Sequence, residues 1–288
     1  MSRTVGQVLT PQICYTVTMV RGYKDRVAVI TGAANGLGRA LAGELAARGC
    51  HLALVDIDSS GLAKTKEELA RPGIVLTQHL ADVASQQDVE RVAIEIASAH
   101  GTLDLLINNA AVSASASFSN TSATDFERII QVNFFGVVHG CRVFLPRLRE
   151  RAEGHILNIS SCFAWLGYPR KTGYASSKAA VRAYSESLRS EVASHGVGVT
   201  VLYPGPLNTS IVRSGISDSA ERREREEKFL VTRGLSPERV ARLSLNRLLA
   251  NPSRIVIGLD YRLLDLLSRL SPRLADHAMR FASERAGF

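Results

Sequence analysis

Apolar residues fall along this chain in two alternating rhythms. Val27-Ala28-Val29-Ile30 is a short, β-branched apolar run of the kind that forms a strand. It ends in Thr31-Gly32-Ala33-Ala34-Asn35-Gly36-Leu37-Gly38. Leu37, Ala40, Leu41, Leu45 and Ala46 then recur at helical spacing until Gly49. Further strands are predicted over residues 51–56, 75–80, 103–107, 155–159 and 197–203, and helices over 62–69, 89–97, 124–148 and 174–195. This alternation predicts an α/β protein with a parallel sheet wound on both faces. Ligands of such sheets sit at the carboxyl ends of the strands. Gly32, Asp56, Asp82, Asn108 and Ser161 each follow a predicted strand, so they are expected along one edge.

The two ends depart from this rhythm. Residues 1–24 hold a weakly apolar stretch broken by Thr10, Pro11, Gln12 and Thr16. It makes a poor signal peptide and reads as a flexible extension, or as an over-called start ahead of Met19. Residues 259–288 place Leu263, Leu267, Leu270, Leu274, Ala278 and Phe281 on one side and five arginines on the other, with a break near Pro272. That is an amphipathic helical tail. Packing on its own domain or on a second subunit is favoured, and weak attachment to an anionic membrane surface is the alternative.

Composition adds exclusions. With 45% hydrophobic residues over 288, the chain can bury a full core. The net charge of +8 resides mostly at the ends, and acids interleave the arginines over 221–228, which suits a solvated helix or loop better than a nucleic-acid stripe. No apolar run of about 18 residues marks a membrane span. Cys14, Cys50, Cys141 and Cys162 form no C-x-x-C pair and no zinc-spaced cluster, so no metal is expected. Such scattered thiols suit a reducing, cytoplasmic setting.

The candidate chemistry lies at the predicted strand ends. Glycines in the 32–38 turn allow close approach of a bulky anion, and the following helix offers free N–H groups to phosphate. Asp56 lies about 20 residues beyond this turn, where a carboxylate takes the ribose hydroxyls of NAD. It would repel a 2′-phosphate, and no basic residue stands at 35 or 57, so NAD is favoured over NADP. Asp82 and Val83 are placed to meet the adenine. Asn108, Asn109, Ala110 and Ala111 close the fourth strand, where amides either bond backbone across the sheet or line a pocket. Asn133 interrupts a long helix as a surface residue or a buried water holder. Tyr174 and Lys178 share one helix face, and a nearby ammonium lowers a phenol's pKa by roughly 1–3 units. The Ser161 hydroxyl can bond the same oxygen. Phe163, Trp165, Leu166 and Tyr168 either line a lipophilic substrate site or pack their own loop.

Taken in order, these residues resemble the short-chain dehydrogenase/reductase family. The match covers about residues 25–258 and rests on Thr31-Gly32-x-x-x-Gly36-x-Gly38, Asp82, Asn108-Asn109-Ala110, Asn133, Ser161, Tyr174, Lys178 and Pro204-Gly205-x-x-x-Thr209. Ala111 departs from the family's glycine by a methyl group. The resemblance implies a single Rossmann-type domain, with Tyr174 as general acid or base and Ser161 polarising the substrate oxygen. Lys178 would hold the nicotinamide ribose, and Asn133 would fix a water of the proton path. It implies cofactor binding by Gly32, Asn35, Gly36, Leu37, Gly38, Asp56, Asp82, Val83, Asn109, Ala110, Tyr174, Lys178, Pro204, Gly205 and Thr209. Substrate binding falls to Ser161, Phe163, Trp165 and Tyr174, beneath a mobile lid over about 207–236. The implied activity is hydride transfer between NAD(H) and a lipophilic secondary alcohol or ketone, such as a steroid, retinoid, terpenoid or acyl ketone. The subunits would form a homodimer or homotetramer through the two long helices. Alternatives are an NADPH-dependent 3-oxoacyl ketoreductase and a non-catalytic NAD-binding regulatory protein.

Overall fold

In the computed structural model, which describes residues 22–151, 154–213 and 215–285, the predicted alternation folds into one sheet covered on both faces. The first half comprises β1 (Val27–Thr31), α1 (Gly36–Ala47), β2 (His51–Asp56), α2 (Ser59–Leu69), β3 (Leu76–Leu80), α3 (Gln86–His100) and β4 (Leu105–Asn108). After the two-residue strand β5 (Ala114–Ser115), a helical stretch runs through α4 (Ala123–Ile130), a π-helical turn at Gln131–Phe135 and α5 (Gly136–Glu150). Next come β6 (His155–Ile159), α6 (Thr172–Val192), β7 (Gly198–Pro204), the short β8 (Ile216–Ser217), α7 (Ala220–Arg233) and α8 (Pro237–Leu248). The chain ends with β9 (Arg254–Ile257), α9 (Leu259–Leu270) and α10 (Pro272–Arg285).

The main sheet has the order β3-β2-β1-β4-β6-β7-β9, and its strands pair in parallel. The winding turns back between β1 and β4, and this reversal opens a crevice at the carboxyl ends of the strands. The continuous apolar run of β1 follows from burial on both sides. Ala28 and Ile30 join a core with Leu41 and Leu45 of α1 and Val240 and Leu245 of α8. Val27 and Val29 join the opposite core with Val92 of α3, Phe144 of α5 and Val181 of α6. Each such side chain contributes roughly 1.5–3 kcal/mol when fully buried.

Several details differ from the sequence reading. β9 was not foreseen. It is only four residues long and begins with a charge, and it gains its place by pairing Ile255 with Leu202. The folded domain begins before residue 25, because Tyr23 is buried and its hydroxyl donates to the Leu245 carbonyl at 2.6 Å. Residues 1–21 of the expected extension, with Cys14, lie outside the described residues. The stretch Ala123–Glu150 is long and apolar enough to cross a membrane by length and composition. It instead buries Ile129, Val137, Cys141, Phe144 and Leu148 in the core. Cys50, Cys141 and Cys162 are free and buried.

The tail is a helix pair broken at Pro272, as its pattern predicts. Ala275 and Met279 are buried against Leu166, with Leu264 and Leu267 packed beside them. Leu263, Leu266, Leu270, Leu274 and Phe281 remain exposed.

Candidate active site

At the β1 end of the crevice the backbone sets the shape. Gly32 (φ 69°) and Gly36 (φ 54°) hold left-handed conformations that carry the chain from β1 over the first turn of α1. Gly38 serves a different purpose from the expected one. A Cβ there would sit 1.9 Å from the Gly32 carbonyl oxygen, so this glycine lets α1 pack against the turn and does not line the cavity. Asn109 ties the next strand to the same turn, its Nδ2 donating to the carbonyls of Thr31 at 3.0 Å and Gly32 at 3.1 Å. Thr31 Oγ1 in turn accepts from the backbone N–H of Asn109 and of Ala110. Asn109 therefore both bonds backbone across the sheet and lines the cavity. Asn108 points inward and donates to Asn158 Oδ1 at 2.8 Å.

Two carboxylates border this end. Asp56 Oδ2 accepts from the Ala34 N–H at 2.9 Å, and its Oδ1 accepts from the Asp58 N–H at 3.0 Å. Both Asp56 and Asp58 line the cavity. Arg39, one residue beyond Gly38, is ion-paired with Glu68 and is absent from the cavity wall. Asp82 accepts from Arg128 at 2.8 Å and lies on the wall beside Val83. The turn, the start of α1 and the two aspartates form a groove that fits an adenine dinucleotide. The free backbone N–H groups at the start of α1 would face its phosphates, and the Asp56 carboxylate would take a ribose diol.

The other end of the same cavity, about 770 Å³ in all, holds Ser161, Tyr174 and Lys178. β6 delivers Ser161 as its strand ends, and α6 carries the other two. A cross-tie fixes the two elements together, with Ser160 Oγ donating to the Lys178 carbonyl at 2.8 Å. Lys178 is 2% exposed, its Nζ donates to the Ile159 carbonyl at 2.9 Å, and it stands 5.9 Å from the Tyr174 ring centroid. Burial lowers this amine to about 8. Burial also pushes the Tyr174 phenol well above its ordinary value. The Cys162 thiol and the Glu226 carboxylate add to the rise, and a hydrogen bond from Ser161 offsets part of it. This corrects the expectation that Lys178 leaves Tyr174 with a lowered pKa. In the protein alone, the cost of desolvating a phenolate outweighs an ammonium that is engaged with a carbonyl.

Two further expected residues stand elsewhere. Trp165 does not line the cavity. Its ring lies 4.9 Å from that of Tyr203, with Arg254 stacked over both, so it packs its own loop. Asn133 is fully buried outside the cavity wall. Its Oδ1 accepts from Val112 N–H at 2.8 Å, and its Nδ2 donates to the Val112 carbonyl at 3.0 Å and to Ser177 Oγ at 3.1 Å. Its side chain thus braces the loop after β4 against α6. Phe163 does reach the cavity and meets Tyr174 edge-on at 6.3 Å. Pro204, Gly205 and Thr209 line it after β7.

Sequence reasoning places a lid over about 207–236 but names none of the residues that form the outer wall. Lys171, Glu226, Phe229 and Leu230 come from the start of α6 and from α7, while Asp260, Tyr261, Leu264 and Met279 come from the tail helices. The alternating charges at 221–228 suggested a solvated face, yet Glu226 is buried and paired with Lys171. The segment expected as a lid is pinned at its ends, where Asn208 N–H donates to the Leu235 carbonyl at 3.0 Å and Leu235 N–H to that of Pro206 at 2.8 Å.

Comparison with known proteins agrees with this geometry. The short chain dehydrogenase family model matches residues 26–220, more than half of the chain. The putative oxidoreductase SadH of Mycobacterium tuberculosis is 37% identical over 252 residues, covering 86% of this chain and 91% of that protein. A short chain dehydrogenase/reductase from Burkholderia phymatum, solved in complex with NAD, superposes with a TM-score of 0.82 at 29% identity, covering 89% of this chain and 97% of the other. An alcohol dehydrogenase from the archaeon Thermococcus sibiricus, complexed with 5-hydroxy-NADP, gives 0.70 at 28% identity, covering 81% and 96%.

Proposed function

The chain belongs to the short-chain dehydrogenase family of NAD(P)-dependent oxidoreductases acting on CH–OH groups, and from that premise we propose that it moves a hydride between NAD(H) and a lipophilic secondary alcohol or ketone. The observation that carries the proposal is that Ser161, Tyr174 and Lys178 share one cavity with the glycine turn and Asp56. The nicotinamide cofactor, when bound, supplies the hydride chemistry. Gly32, Asn35, Gly36 and Leu37 would hold its phosphates, Asp56 a ribose, and Asp82 and Val83 the adenine side. Tyr174 exchanges a proton with the substrate oxygen and Ser161 bonds that same oxygen. Lys178, released from Ile159, would hold the second ribose and draw the phenol's pKa down.

Both NAD and NADP occur among the structural neighbours. The preference for NAD rests on the two carboxylates at the end of β2, which would repel a 2′-phosphate. The lipophilic preference rests on Phe163, Phe229, Leu230, Leu264 and Met279 around the outer chamber. The buried free thiols support a reducing, cytoplasmic setting.

The test is a panel of secondary alcohols and ketones from monocyclic to tetracyclic, assayed with each cofactor. NAD-linked turnover of the larger apolar members supports the reading. Tight NADH binding without turnover of any member would favour a non-catalytic role.

We also assign the exposed leucines of α9 and α10, with exposed Arg262, Arg269 and Arg273 beside them, to a contact with a second subunit or an anionic membrane surface. Light scattering reads the first and liposome sedimentation the second. A monomer that stays in the supernatant would overturn both.

A further inference from the structure

We propose that Glu226 is a specificity-determining acceptor that reads a second, non-reacting hydroxyl group on the substrate. The inference rests on the alcohol dehydrogenase reading above and deepens it. Glu226 projects from α7 into the chamber that holds Tyr174 and is 8% exposed. Its Oε1 accepts from Lys171 Nζ, and that lysine is equally enclosed. Its Oε2 is buried and has no hydrogen-bond partner. A buried acceptor left unmatched is unfavourable, and more so when charged.

The surroundings narrow the class of donor that would match it. Lys171 already balances the carboxylate's charge, so the unmatched and enclosed Oε2 would take a neutral hydroxyl and not an ammonium once the carboxylate turns toward the chamber. Asp260 stands on the same cavity wall, and with Glu226 it disfavours an anionic group there. The remaining wall of this outer chamber is largely apolar, formed by Val212, Phe229, Leu230, Leu264 and Met279. Glu226 is close enough to Tyr174 and Tyr168 for its charge to raise both phenols. The hydroxyl it reads therefore sits in the chamber where the reacting oxygen meets Ser161 and Tyr174. The geometry points to an apolar hydroxy-ketone or diol, oxidised or reduced at one carbon and held by its other oxygen.

Three ketone skeletons of increasing size, each made with a remote hydroxyl, a methyl ether or hydrogen at one position, test this. On at least one skeleton the hydroxyl compound should exceed its methyl ether in kcat/KM by about 10-fold or more, with the difference mainly in KM. Glu226→Gln should compress that ratio to about 3-fold or less. Equal kcat/KM for hydroxyl and ether on every skeleton turned over would overturn the proposal. So would a ratio that Glu226→Gln leaves intact. If Glu226→Gln fails to fold with Lys171 unpaired, the wild-type ratio alone decides. Failure of every skeleton to react contradicts the dehydrogenase reading itself and removes this inference with it, whereas turnover without discrimination removes the inference alone.

Discussion

The carboxylate of Asp56 accepts a hydrogen bond from the backbone N–H of Ala34 at 2.9 Å, tying the end of β2 to the glycine turn. One residue thus shapes the turn and sets the sign of the field where the adenosine ribose would lie. Asp56→Ala removes the tie and weakens the field, to which Asp58 still contributes. A charge-assisted hydrogen bond is worth roughly 1.5–3 kcal/mol, so NADH affinity should fall by about 10- to 100-fold. NADPH affinity should hold or rise, because the repulsion is reduced to that of Asp58. Fluorescence titration with the two reduced cofactors measures the ratio, and an unchanged ratio contradicts the cofactor assignment.

Gly38→Ala should damage the fold before it damages binding. The added Cβ would lie 1.9 Å from the Gly32 carbonyl oxygen, a backbone atom that moves only if α1 lifts from the turn. Overpacking of this kind costs about 1–3 kcal/mol. Thermal unfolding should show a lower Tm without any ligand present. A Tm equal to wild type would mean that the turn is looser than it stands here.

His155 gives the protein an acid-sensitive element away from the active site. The residue is buried, one ring nitrogen lies 2.9 Å from Thr200 Oγ1, and burial, with Arg189 nearby, pushes its pKa down from 6.5 to about 3. Above its unfolded value the ring is neutral in both states and contributes no pH dependence. Below it, the unfolded chain takes up a proton that the folded protein refuses, so stability falls as pH drops from 6.5 toward 3. The slope approaches 1.4 kcal/mol per pH unit, which gives about 1 kcal/mol lost between about pH 7 and about pH 5.5. Urea unfolding at those two values should show this loss in wild type and a smaller one in His155→Gln. Equal losses would place the sensitivity in other groups.

Trp165→Phe should affect stability more than substrate use, since the indole packs on Tyr203 and Arg254 outside the cavity. An unchanged KM with a lowered Tm is expected across the ketone panel. A KM that rises several-fold at unchanged Tm would return Trp165 to the substrate site.

What could be read from sequence were features whose partners lie close along the chain. The strand–glycine–helix pattern around Gly32, the acid at the end of β2, and Tyr174 one helical turn from Lys178 are all local. The outer wall is not local. Lys171 and Glu226 are 55 residues apart, and only the fold, which brings α7 to the residue ahead of α6, makes them a pair. In sequence, Glu226 stands in an alternation of charges that most often marks a solvated face. The tail's apolar stripe points to the wrong side: Leu263, Leu270, Leu274 and Phe281 are exposed, and Leu264, Ala275 and Met279 turn inward, Leu264 and Met279 closing the cavity. Trp165 stands beside true lining residues, and only the register of its loop turns it toward Tyr203.

The central claim is that the Tyr174 hydroxyl exchanges a proton with the substrate oxygen inside this cavity. Tyr174→Phe removes one oxygen and keeps the ring that meets Phe163. Reduced-nicotinamide absorbance, followed with a substrate that wild type turns over, should show a rate at least about 100-fold lower in the variant, while NADH binding by fluorescence stays within about 3-fold. A variant that turns over at the wild-type rate with intact cofactor binding would contradict the account.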